Sequence, residues 1–200
     1  MRHHHLLLLP CLILLLTAGT AAGSKAKPKA VSPGVAADFV RRSCRSTSYP
    51  RVCESTLVPC APAVGRSPRR LARAALVVGA DGARNCSAYL HGGGATSLAG
   101  GAMKDCAELA RDTEERLRQS AAEMDRMGRA GSPRFAWCLS NVQTWASAAL
   151  TDTSTCLDSL GQTHGGKDKD AVKQRVVAVA QLTSNALALV NKLHPAPHRL

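Results

Sequence analysis

Leu98, Ala102, Cys106, Leu109, Thr113, Leu117, Ser120, Met124 and Met127 recur at steps of three and four residues. That period belongs to the helix and not to the strand, and sustained over about four heptads it specifies a long helix with one continuous buried stripe. A stripe of this kind must be covered by other elements, and three further segments can do it. Ser67-Pro68 offers a cap and a proline at the first helical position, ahead of Leu71, Ala75, Val78, Tyr89 and Leu90. Gly79 and Gly82 weaken the middle of that segment. Ser132-Pro133 repeats the same start before Phe135, Leu139, Val142, Trp145 and Ala149. Val172, Val176, Val179, Thr183, Ala186, Val190 and Leu193 carry the last helix. Breaks fall at His91 to Gly94, at Gly128 and Gly131, and along Gly161 to Asp168, while Thr96 or Ser97 can cap the second long helix. Short loops between long helices predict an all-α chain, an up-down-up-down four-helix bundle over residues 67–193.

Ahead of the bundle, Val35, Phe39 and Val40 make one face of a short helix ending at Cys44. Thr47 or Ser48 can cap a second one, with Pro50 in its first turn, running toward Leu57. Residues 35–60 therefore read as a helical hairpin, and 35–195 as one domain. Residues 23–34, with their lysines and prolines, read as a flexible lead-in. At the N-terminus, Arg2 and His3 to His5 precede the apolar run Leu6 to Leu16 and then small residues to Gly23. An apolar core of about 11 residues is too short for a bilayer and fits a secretory signal over residues 1–22, cleaved near Ala22. The expectation is a secreted protein with no membrane span.

Setting the leader aside removes Cys11 and leaves an odd number of cysteines in an oxidising compartment. Cys106 lies about 21 residues before the end of its helix and Cys156 about 20 after the start of the next, so antiparallel packing puts them at one height. Cys44 and Cys53 can close a small loop in the hairpin. Cys60 and Cys138 both fall near the other end of the bundle, where an additional Cys60–Cys138 bridge is allowed, leaving Cys86 over. Spacing alone does not fix the connectivity. The formal charge of +12 favours a polyanionic partner, an acidic polysaccharide or an acidic protein surface. Nucleic acid fits poorly, because the arginines are dispersed and aromatic residues make up only 3% of the chain.

Catalytic groups do not assemble anywhere in the sequence. Gly161 to Asp168 falls short of a phosphate loop, with Asp168 where a magnesium-binding hydroxyl belongs and no strand before it. His91, His164, His194 and His198 lack zinc-ligand spacing, and the cysteines form no close pair. Glu114-Glu115 reads as a solvated helix face. No cofactor and no metal are expected, and the reading is a binding protein, not an enzyme. Asn85-Cys86-Ser87 is a glycosylation sequon, although it falls inside a predicted helix.

The stretch Cys44 to Leu57, "CRSTSYPRVCESTL", resembles the opening signature of the plant invertase and pectin methylesterase inhibitors. Met103-Lys-Asp-Cys-Ala-Glu-Leu109, Asn141 to Leu160 ("NVQTWASAALTDTSTCLDSL") and Ser184 to Val190 ("SNALALV") resemble the family's later signatures, in the same order. The resemblance implies a four-helix bundle with an N-terminal hairpin, bridged Cys44–Cys53 and Cys106–Cys156, in a protein of the plant cell wall and apoplast. It implies an inhibitor that blocks a substrate cleft one-to-one, with Glu108, Asp112, Glu115, Thr155 and Asp158 at the contact. The "VQTWASAALT" block is similar to the branch that acts on pectin methylesterase. Ser132-Pro-Arg-Phe135 resembles the Pro-Lys-Phe element of inhibitors of acid invertase, with Arg for Lys. Methylesterase is the expected target and acid invertase the alternative; a non-inhibitory protein binding acidic pectin is the third reading.

Overall fold

The computed structural model describes residues 31–92, 101–162 and 167–193. The leader, most of the lead-in, Thr96, Ser97, Leu98 and the histidines at 164, 194 and 198 lie outside the described residues. Within them every regular element is helical. The hairpin consists of α1 (Pro33–Cys44) and α2 (Pro50–Leu57), followed by a 3₁₀ turn (Val58–Cys60) and the single-turn helix α3 (Ala61–Val64). The long helices are α4 (Pro68–His91), α5 (Gly101–Arg126), α6 (Pro133–Gly161) and α7 (Lys167–Val190). In the bundle α4 packs on α5, α5 on α6, α6 on α7 and α7 back on α4, and the hairpin seats on α4 and α7.

Sequence explains where the helices start. Ser67 and Ser132 accept from the backbone amides of Arg70 at 3.3 Å and Phe135 at 3.1 Å, with proline following each cap. The stop after α3 needs Gly65, whose φ of +60° other residues adopt only with strain. Gly79 and Gly82 do not interrupt α4. A Cβ at Gly79 would stand 3.1 Å from a Leu117 methyl and one at Gly82 would stand 2.8 Å from a Leu182 methyl. These positions let α4 approach both α5 and α7 closely, a packing reason that outweighs glycine's poor helix propensity.

Leu71, Leu76, Leu117, Met124, Phe135 and Val190 fill the core toward the hairpin. A second cluster of smaller groups, including Ala83, Cys86, Ala110, Val172 and Val176, fills the other end around Cys106 and Cys156. Two expectations shift by about one residue. Val35 is exposed, and Ala36, Val40 and Cys44 form the buried face of α1. Ala146, not Trp145, is fully buried on α6.

Neither Thr47 nor Ser48 caps α2. Tyr49 holds the N-cap position without a side-chain bond, and its backbone is gripped from α7 instead. Tyr49 N donates to Asn185 Oδ1 at 3.0 Å, and Asn185 Nδ2 donates back to Tyr49 O at 2.9 Å. Asn185 is buried, so losing this pair strands polar backbone groups at the junction. Asn185→Ala is expected to lower stability by about 2 kcal/mol and to speed hydrogen exchange at the Tyr49 amide. Urea unfolding with exchange measurements checks this; an unchanged midpoint would show the clamp to be energetically silent.

Candidate functional site

Two disulfides are formed among the described residues: Cys44–Cys53 in the hairpin and Cys106–Cys156 between α5 and α6. The second sets the register of the helix pair, with Cα atoms 4.9 Å apart. Further along, Thr113 Oγ1 donates to Ala149 O at 3.4 Å, Arg116 Nε to Asp152 Oδ2 at 2.9 Å, and Asn141 Nδ2 to Glu123 Oε1 at 3.2 Å. The antiparallel seam is thus pinned along most of its length.

The additional Cys60–Cys138 bridge is not made: Cys138 is a free, buried thiol. Its side chain turns from α6 toward α5, where it hydrogen-bonds the buried Glu123 carboxylate. Burial, reinforced by that carboxylate, pushes the Cys138 thiol above its ordinary range. The thiol and the Asn141 amide in turn draw the Glu123 carboxyl below its own. The other free cysteine, Cys86, is pushed up to about 11 by burial, only partly offset by Arg175. Neither thiol is set up as a nucleophile or as a link to a second chain.

On the outer side of the seam, Glu108, Glu115, Thr155 and Asp158 are exposed and Asp112 is half-buried. Thr155 donates its hydroxyl to Thr151 O at 3.0 Å, and Glu115 accepts from Gln119 Nε2 at 3.0 Å. Glu108, Asp112 and Asp158 make no hydrogen bond or ion pair with any described residue. The acids at the helix junctions differ. Asp125 takes a two-pronged contact from Arg73, at 2.7 and 2.8 Å, and Asp81 pairs with Arg118 at 3.1 Å. Arginine has been matched to carboxylates between helices, Asp152 included, while Glu108, Asp112 and Asp158 near the Cys106–Cys156 bridge meet no partner among the described residues.

Asp152 lies beneath this face. Burial raises its carboxyl above the usual range, Arg116 pulls against that, and the nearby Asp112 adds to it. A carboxyl raised by folding holds its proton more tightly in the native state. Its contribution to stability is present in acid and lost as the pH rises through the raised value. Asp152→Asn should therefore come nearest the wild type below about pH 3 and gain on it toward neutrality, read by urea unfolding across that range. A difference independent of pH would remove Asp152 as the cause.

Ser132 to Phe135 has structural duties. Ser132 caps α6, and Arg134 Nε donates to Arg126 O at 2.9 Å, closing the C-terminus of α5. Phe135 is only 4% exposed, with the Arg69 guanidinium 5.7 Å from its ring centre. Arg69 also donates to Met127 O at 2.8 Å and to Gly128 O. At the sequon, Asn85 is exposed on helical α4, while the buried Ser87 hydroxyl donates inward to Ala107 O at 3.4 Å. Among the described residues no helix is long and apolar enough to cross a membrane, and no three His, Cys, Asp or Glu side chains converge as metal ligands.

Sequence reasoning did not find the Asn185 clamp or the arginine caps on α5. Asn185 stands inside "SNALALV", a polar residue interrupting an apolar helix face, which was the available signal.

Comparison with known proteins bears on both fold and site. Residues 38–189 match the family model described as plant invertase/pectin methylesterase inhibitor. "Pectinesterase inhibitor 11" of Arabidopsis thaliana is 40% identical over 186 residues, covering 90% of this chain and 92% of that protein. The "21 kDa protein" of Daucus carota is 39% identical over 167 residues, covering 81% and 86%. "Pectinesterase inhibitor 9" of Arabidopsis thaliana is 38% identical over 194 residues, covering 90% and 91%. A helical bundle braced at Cys44–Cys53 and Cys106–Cys156, matched over this length, is a member of the plant invertase/pectin methylesterase inhibitor family.

Proposed function

We propose that the chain is a secreted inhibitor of pectin methylesterase, acting in the plant cell wall. It lays the α5–α6 seam across the enzyme's substrate cleft in a one-to-one complex. The observation that carries this is that Glu108, Asp112 and Asp158, around the Cys106–Cys156 bridge, pair with no described residue, on a protein of formal charge +12. A cleft that accepts anionic pectin offers positive groups to such a face. The bridge holds Glu108 and Asp112 on one helix beside Thr155 and Asp158 on the other, so little ordering cost remains at binding. Inhibition needs no chemistry from the inhibitor; it excludes substrate by occupancy.

Methylesterase is favoured over acid invertase because the Pro-Arg-Phe element is already committed. Phe135 is core and Arg134 caps a helix, which accounts for both residues without a partner. The test is parallel titration of a plant pectin methylesterase acting on esterified pectin and of an acid invertase acting on sucrose. Stoichiometric loss of methylesterase activity with invertase unaffected is expected. Loss of invertase activity alone would transfer the contact to the other target.

A further inference from the structure

The hairpin does not close smoothly onto the bundle. Between α1, the start of α4 and the residues after α7 lies a cleft of about 310 Å³. Its floor is apolar, made by Phe39, Leu71 and Leu189, and two cations, Arg42 and Lys192, border it. Lys192 Nζ donates to Ser43 O at 3.2 Å and to the Ser46 hydroxyl, which fixes the ammonium and leaves one of its three donors over. Arg42 makes no hydrogen bond or ion pair with any described residue, whereas its neighbour Arg41 pairs with Asp38 at 2.8 Å. Among the described residues no acidic side chain lines the cleft. Its size is at the lower end of small-ligand sites, and it combines an apolar base with a few fixed polar groups.

These features select an anion with a flat apolar side, spare hydroxyls and more than one carboxylate. We infer that the cleft binds a short run of de-esterified galacturonate. A uronate ring lays its C–H face on Phe39 while successive carboxylates meet Lys192 and Arg42, and ring hydroxyls donate to the Ser43 and Ser46 oxygens, whose own protons go to Phe39 O and Ser43 O. This rests on the methylesterase reading above, since de-esterified galacturonan is that enzyme's product. The position matters as well. Ser87 on α4 reaches Ala107, at the level of the Cys106 bridge, and Leu71 lies about 24 Å further along the same helix. Polymer and enzyme would therefore occupy opposite ends of the bundle. Holding the inhibitor on the wall polymer raises its effective concentration where the enzyme works.

Titration calorimetry of the full protein with trigalacturonate tests the inference. Saturable one-to-one binding is expected, weakened about tenfold or more by Arg42→Ala with Lys192→Ala. Arg129→Ala with Lys173→Ala, which removes equal charge from exposed sites elsewhere, should change it less than about twofold. Fully methyl-esterified trigalacturonate should give no measurable heat. Equal weakening by both double variants, or equal binding of the ester, overturns the inference in favour of diffuse attraction. Methylesterase inhibition measured on the same samples separates the two readings. Inhibition without trigalacturonate binding removes the cleft, and binding by a protein that leaves the enzyme active removes the inhibitor reading but keeps the cleft.

Discussion

Replacing Cys106 and Cys156 together by alanine is expected to lower stability by about 4 kcal/mol, because the bridge closes a loop spanning 50 residues. The corresponding loss for Cys44–Cys53, which spans 9 residues, is about 2.5 kcal/mol on the same chain-entropy argument. The ranking is a sharper test than either value. Both members of the longer bridge are buried in the core cluster at that end of the bundle. Urea unfolding of the two double variants, at matched pH, reads the order directly. If the Cys44–Cys53 variant loses as much, loop entropy does not govern these bridges. Loss of the longer bridge should also weaken inhibition beyond its effect on stability, since α5 and α6 would no longer be held in one register at the contact face.

Asp112→Ala and Asp158→Ala are each expected to weaken binding to pectin methylesterase by about 2–5 kcal/mol, which is the cost of truncating one member of a desolvated charge pair. Neither carboxylate has a partner among the described residues, so their removal should leave unfolding nearly unchanged. Asp112 carries one complication, since it raises the carboxyl of Asp152, and its removal relieves a like charge there. Asp158, exposed and not among the groups that shift Asp152, gives the cleaner reading. Surface plasmon resonance with immobilised enzyme yields both rates. A contact buried in the complex appears in the dissociation rate, and a peripheral one in the association rate. Values within about 0.5 kcal/mol of wild type for both variants would move the interface away from this face.

The helices were legible because the sequence punctuates them. Serine followed by proline at Ser67 and Ser132 marks two starts that depend only on neighbouring residues. The alternating steps from Cys106 to Met127 specify a stripe whose members Cys106, Thr113, Leu117, Ser120, Met124 and Met127 are buried as read. Gly79 and Gly82 misled in the middle of α4, since their reason lies on Leu117 and Leu182, distant in the chain. Connectivity was legible for the bridges that follow family spacing. Cys138 was not, because its partner is the carboxylate of Glu123 and no cysteine spacing encodes that choice. Tyr49 was missed for a related reason: caps are sought within a few residues, and this one comes from the last helix. The acidic face could be named by position alone. That Glu108, Asp112 and Asp158 find no partner among the described residues while Asp125 and Asp81 find arginines needed three-dimensional structure.

The Tyr49–Asn185 contact joins residues 136 apart in the chain. At ordinary rates of synthesis, the second partner appears about 7 to 27 seconds after the first. The Cys44–Cys53 loop is local and can oxidise soon after Cys53 emerges, but the seat for that hairpin does not yet exist. Until α7 arrives, the apolar underside of the hairpin, with Val40 and Leu57, has only the α4 part of its seat to lie on. A nascent chain therefore carries an exposed, already cross-linked N-terminal module for most of its synthesis. Through Tyr49, α7 completes the N-terminus of α2, in the hairpin made well before it.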